Sequence, residues 1–197
     1  VKFAGFYWRI LRVNGDGSIR MIYAGDADVI DALPNKEEVL ANGYNDSSTD
    51  YTQIGISAYN SSYNDNAYVG YMYGTTGAST YEETHANINN STIKTRVDTW
   101  YEENIKDTEY EQYISDTLFC NDRSLDSGSG IGQTVSYYNY GDTGTGGVNL
   151  KCAQQNDRFT VSDEVIGNGS LTYPVGLLTD DEGYLAGGSS SNSGYYL

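Results

Sequence analysis

His85, a few acid pairs, several oxygen-rich loops and two cysteines are the residues of this 197-residue chain that could do chemistry. A hydrolase or transferase needs an activated nucleophile beside a base, and His85, in the stretch THANINN, is the only histidine. A lone histidine in a polar loop is more often a hydrogen-bond partner than a base. One histidine cannot supply the HExxH zinc motif, and neither GxSxG nor a P-loop occurs. Asp180 and Asp181 are better explained by the preference of carboxylates for a helix start than as a glycosidase pair. These residues point away from an enzyme.

Calcium is the one cofactor the loops could take. Asn64-Asp65-Asn66, Asn121-Asp122 and Asn156-Asp157 offer hard oxygen atoms, but none has the spacing of an EF-hand. Asn and Asp are also ordinary turn formers, so the sequence requires no cofactor. Cys120 and Cys152 make one candidate bridge. No CxxC is present and two thiols cannot build a structural zinc site, so a disulfide is favoured over redox or metal chemistry.

Charge narrows the partners. Eleven Lys and Arg stand against 27 Asp and Glu, for a formal charge of −16 and a pI near 4.1. Such a field repels the phosphates of nucleic acids and anionic lipids, which excludes DNA, RNA and acidic membranes as partners. No apolar run is long enough to span a bilayer and no signal peptide is visible. The chain opens on Val1 inside a strand-like stretch, which reads as a segment of a longer exported protein.

Composition suggests what the surface is for. Twenty Tyr and 23 Gly accompany abundant Ser, Asn and Thr, with only two Pro. Aromatics on this scale mark a folded chain, and its length suits one domain over residues 1–197. Tyr with Ser, Gly and Asn is the chemistry of binding loops, because Tyr brings contact area at low entropy cost. The same Tyr residues also suit pleated strands. The candidate surface is residues 60–68, 137–140 and 189–196. Within it, Tyr63, Tyr68, Tyr137, Tyr138, Tyr140, Asn192, Tyr195 and Tyr196 are the candidate ligand-binding residues.

The elements that must position these loops are few. Residues 91–105 form the organising helix: Ile93, Val97, Trp100, Tyr101 and Ile105 recur at steps of three and four. Asn90 or Ser91 supplies its N-cap, and burial of Ile93, Val97 and Trp100 against a sheet must stabilise it. Residues 1–14 read as one strand with two partly apolar faces, hence central in its sheet. Asn14-Gly15-Asp16-Gly17 turns it back into a second strand at 18–24. A short helix is expected from Asn35, strands at 67–73 and 173–178, and another short helix through Leu185. Gly70 would permit a close approach in the first of these strands. Residues 121–147 are a long Gly/Ser/Tyr-rich loop. Without regular βαβ alternation the class is α+β.

Several strings in order, VKFAGFYWRILRVNGDGSIRMIY, THANINNSTIKTRVDTWYEENI, YISDTLFCNDRS, LKCAQQNDRFTV and YPVGLLTDDEGYLAGG, resemble a family of surface domains. These occur in exported proteins of anaerobic, mostly Gram-positive gut bacteria, some behind a pilin-like leader or a wall anchor. The resemblance implies a C-type-lectin-like fold of the formylglycine-generating-enzyme subtype. That fold is a mixed, mainly antiparallel sheet with one main helix and long loops. It supports the Cys120–Cys152 pairing. The catalytic cysteines of that enzyme have no match here, so its oxidase activity does not carry over. In the family, the stretch matching Tyr195-Tyr196-Leu197 runs on into further strands, which implies that this chain lacks the last strands of its sheet, through truncation or because a partner chain supplies them.

The expectation is an extracellular, cell-surface module that binds a glycan or protein ligand through its Tyr/Asn/Ser/Gly loops. The alternative is a structural subunit of a surface filament or pilus-like homo-oligomer, in which exposed Tyr and an incomplete sheet serve polymer contacts.

Overall fold

The computed structural model describes residues 1–42, 53–139, 148 and 150–187. Contacts divide the chain into two compact units, one of Val1–Ile56 with Asp180–Leu197 and one of Ser57–Thr179. The class is α+β, with small antiparallel sheets and few helices.

The first unit is built on a hairpin. Strands β1 (Lys2–Phe3), β2 (Phe6–Val13) and β3 (Ile19–Asp26) form an antiparallel sheet with β2 in the middle, so its central position holds. Residues 1–14 are not one strand, however. Ala4 and Gly5 take positive φ of 53° and 81°, and this turn folds β1 back onto β2. At the other end the Gly17 amide donates to the Asn14 carbonyl at 3.0 Å, with Gly17 left-handed at φ 86°. That is a type I turn followed by a left-handed glycine, one of the common hairpin connections.

Two short helices follow. Helix α1 (Ala27–Asp31) is capped by Asp26, whose carboxylate accepts the amides of Asp28 and Val29 at 2.9 and 3.1 Å. Ala27 and Ile30 are fully buried. Helix α2 (Lys36–Asn42) is the one expected from Asn35. Asp31 joins β1, β2 and both helices, accepting from Lys2 at 2.8 Å and Tyr7 at 2.6 Å and pairing with Lys36 at 2.6 Å. The short C-terminal helix Asp180–Leu185 also forms, and its Glu182 takes Arg12 at 2.8 Å and buried Arg20 at 3.2 Å.

The second unit holds more irregular chain. Its apolar core is Tyr71, Met72, Phe159 and Leu171, with Ile93, Phe119, Val161 and Leu177 packed against it. The expected strand at 67–73 is shortened. Asp65 caps a 3-10 turn over Asn66–Val69, and only β4 (Met72–Tyr73) is extended. A side-chain oxygen competing for backbone amides explains the change, since Asx residues favour caps over ladders. Helix α3 (Tyr81–Thr84) and strand β5 (Asn89–Asn90), which pairs with β4, precede the main helix α4 (Thr92–Asn104).

Ser91 is the N-cap of α4, accepting the Lys94 amide at 3.1 Å. The buried stripe differs from the expected one. Lys94, Val97, Tyr101 and the C-capping Ile105 are buried, whereas Ile93 and Trp100 are half-buried. Lys94 goes inside because Asp98, one turn on, meets its ammonium at 2.5 Å and supplies the opposite charge.

Three further ladders are short: β6 (Phe119–Cys120) with β9 (Arg158–Phe159), and β7 (Leu125–Ser127) with β8 (Tyr137–Tyr138) beside β4 with β5. Residues 173–178 form no strand. The Val175 amide closes locally onto the Tyr173 carbonyl at 2.8 Å, and Leu177 still packs on the core. The apolar run is half-buried loop, which periodicity alone cannot distinguish from a strand.

Candidate functional site

The loops of the second unit are arranged around a buried ion pair. Arg123 and Asp157 are each 1 % exposed. The Arg123 amide and Nε donate to the two Asp157 oxygens at 2.7 and 2.6 Å. Nη1 donates to the Met72 carbonyl at 2.9 Å, and Nη2 to Asn87 Oδ1 at 3.1 Å and the Asn156 carbonyl at 3.2 Å. A charge can stay inside only when it is paired and its remaining protons have acceptors, and Arg123 meets both conditions. Burial pushes the Asp157 carboxyl up, while the facing guanidinium pulls it down. Gly70 belongs to the same hub: a Cβ there would run into the Met72 carbonyl and Arg123 Nη1. Its expected close approach is to this backbone and guanidinium.

The Cys120–Cys152 disulfide is present, with Cα atoms 5.8 Å apart and a sequence separation of 32. It anchors the loop that starts beside Arg123 and returns at the start of the segment leading to Asp157. In the chain-entropy account a loop of that length is worth ~3–4 kcal/mol.

Asn66 ties two of the tyrosine-bearing segments together. Its backbone amide donates to the Gly132 carbonyl at 2.9 Å. Its side-chain amide faces the carbonyls of Ile131, Gly132 and Thr134 at 3.0, 2.8 and 2.8 Å. Its Oδ1 lies 3.2 Å from the Tyr138 hydroxyl, which lies 3.2 Å from His85 Nε2. His85 Nδ1 is 3.0 Å from the Tyr81 carbonyl, and the two rings stack at 3.9 Å. Tyr81 in turn donates to the Arg123 carbonyl at 2.5 Å. Burial pushes the His85 imidazole down to about 4, with the Tyr81 carbonyl working against it and Arg123 with it. A folded value below the unfolded one of about 6.5 means this group's contribution to stability is complete above pH ~6.5 and is lost as pH falls towards 4. His85 is thus a core hydrogen-bond partner.

The candidate tyrosines divide sharply. Tyr63 is fully exposed and Tyr137 is 64 % exposed. Tyr68 is half-buried, its ring 5.3 Å from that of Tyr73. Tyr138, next to Tyr137 on β8, is only 7 % exposed and points into the Asn66–His85 chain. Strand alternation puts neighbours on opposite faces, so these two cannot share a surface role. Tyr140, Asn192, Tyr195 and Tyr196 lie outside the described residues.

The oxygen-rich pairs are engaged by protein donors. Asp65 accepts the amides of Ala67 and Gly77 at 2.9 and 2.7 Å, and Asn121 Oδ1 accepts the Tyr71 amide at 2.7 Å. Asp122 takes the Ser124 amide, Asn156 Oδ1 the Asn87 side chain, and Asp157 takes Arg123. Among the described residues no group of three or more His, Cys, Asp or Glu side chains is placed to hold a metal ion. Asp180 and Asp181 lie in the first turn of their short helix, as expected of helix-start carboxylates. No described helix is long and apolar enough to cross a membrane.

The sequence does not single out Arg123, and it offers Asn66 and Asp157 only as loop oxygen donors. The ion pair joins residues 34 apart, and the Asn66 clamp joins residues 65 to 68 apart. No local pattern links either set. No family model, curated protein or solved structure matches the chain.

Proposed function

We propose that this chain is an extracellular, surface-displayed binding module that recognises a glycan or protein ligand through the exposed tyrosines of residues 57–68 and 131–138, Tyr63 and Tyr137 foremost. The observation that carries the reading is the Asn66 clamp. It holds the segment bearing fully exposed Tyr63 to the hairpin bearing exposed Tyr137. Ordered backbone beneath exposed aromatics lowers the entropy cost of binding. The resemblance to surface domains, with the C-type-lectin-like fold it implies, accords with the same reading. The charge of −16 favours neutral or cationic ligands.

The test is a Tyr63→Ala/Tyr137→Ala double variant, assayed against immobilised neutral glycans and host surface proteins. Affinity should fall about tenfold or more, the size expected of a lost aromatic anchor, with the melting temperature unchanged. Unchanged binding, or a matching loss of melting temperature, would count against it.

A second reading, a filament subunit, draws on the first unit. Val13 and Ile19 are cross-strand partners at the hairpin end, and both are exposed, as is Ile10. An apolar strip of this kind suits contact with another copy, and concentration-dependent assembly lost in Val13→Lys would favour it.

A further inference from the structure

The chain Tyr81–His85–Tyr138–Asn66 has more hydrogen-bond acceptors than protons. The Tyr81 carbonyl can only accept, so the His85 Nδ1 facing it at 3.0 Å must carry a hydrogen. In the neutral ring Nε2 then holds a lone pair, and the Tyr138 hydroxyl 3.2 Å away must donate to it. That hydroxyl has one proton. Asn66 Oδ1, 3.2 Å from the same oxygen, is left facing a lone pair. Asn66 cannot relieve this by flipping, because its Oδ1 would then meet the carbonyls of Ile131, Gly132 and Thr134. One added proton satisfies every member. With Nε2 protonated, both ring nitrogens donate, and the Tyr138 hydroxyl is released to donate to Asn66.

We propose that His85, Tyr138 and Asn66 form a proton-operated relay. One proton taken from solvent onto His85 Nε2 turns the Tyr138 hydroxyl from His85 to Asn66 and tightens the hold of Asn66 on residues 131–134. The groups that face the ring set its working range. Tyr81 of α3 stacks on it, and Tyr138 of β8 meets its edge. Arg123, from the segment after β6, opposes the charge, and Asp65, from the cap of the 3-10 turn, favours it. Burial also opposes it, at 2 % exposure, which places the transition on the acid side. The relay needs no ligand, so it stands or falls separately from the binding reading.

The test is a pH titration of the ¹⁵N-labelled full chain by NMR, from neutral pH to about 3.5. His85 is the sole histidine, so its ring signals need no assignment by difference. The ring should be the Nδ1–H tautomer at neutral pH. The Asn66 side-chain amide signals should move with the same midpoint as the ring. Those of Asn104, bonded to the Trp100 carbonyl, should stay still. In Tyr138→Phe the Asn66 signals should stop following His85, and the ring should titrate at lower pH for want of an acceptor. An Nε2–H tautomer at neutral pH, Asn66 signals indifferent to the His85 titration, or a ring that stays neutral until the fold is lost would each overturn the proposal. If Tyr138→Phe does not fold, the titration of the unaltered chain decides by the same criteria.

Discussion

The β2–β3 hairpin of the first unit and the Arg123 hub of the second solve the same problem, satisfying backbone polar groups, by opposite means. In the hairpin, backbone pairs with backbone along an antiparallel ladder from Phe6↔Asp26 to Val13↔Ile19, with two register shifts. In the second unit the ladders are two or three residues long, and side chains carry much of the work. Arg123 takes the Met72 and Asn156 carbonyls, and Asn66 takes those of Ile131, Gly132 and Thr134. Asp116 accepts the amides of Val161, Ser162 and Asp163, which against the effect of burial hold its carboxyl below the ordinary range. A ladder distributes its stability over many equivalent bonds. A hub concentrates it in a few side chains, each of which leaves several buried groups unpaired when removed.

The largest effect should come from the hub. Arg123→Met leaves the Asp157 charge buried and unpaired, and denaturant unfolding of the second unit should lose about 3–5 kcal/mol. Replacing both partners, as Arg123→Met with Asp157→Leu, should recover a large part of that. No recovery would mean that the Met72, Asn87 and Asn156 bonds, rather than the charge pair, carry the cost. Reducing Cys120–Cys152 comes next. Denaturant midpoints with and without reductant should report a loss of ~3–4 kcal/mol, and an unchanged midpoint would show that the hub alone holds its loop. The smallest effect belongs to the hairpin. Gly17→Ala meets nothing within 4 Å, so only its φ of 86° is strained, at about 1–2 kcal/mol. A larger loss there would erase the contrast between distributed and concentrated stability.

The same contrast explains which features were legible. Asn14-Gly15-Asp16-Gly17 and the helix at Thr92–Asn104 were readable because turn dihedrals and i, i+4 neighbours are properties of adjacent residues. Even within α4 the buried face was misjudged at Lys94. A lysine reads as polar until the Asp98 carboxylate and the surrounding fold are seen to enclose it. Residues 67–73 failed for a similar reason, since Asp65 turned a strand-like run into a 3-10 cap. Tyr137 and Tyr138 are chemically identical neighbours. Only the side of β8 each occupies makes one a surface group and the other a member of the His85 chain.

Residue order alone sufficed for the α+β class, the acidic character, the hairpin, the main helix with a cap at Asn90 or Ser91 and the pairing of the two cysteines. These follow from local dihedral preference, local periodicity and the count of thiols. The Arg123–Asp157 pair, the Asn66 clamp and the environment of His85 exist only in the folded chain. Each depends on excluding water from groups that lie far apart in the sequence, and desolvation is a property of the packed assembly that no single stretch of residues possesses.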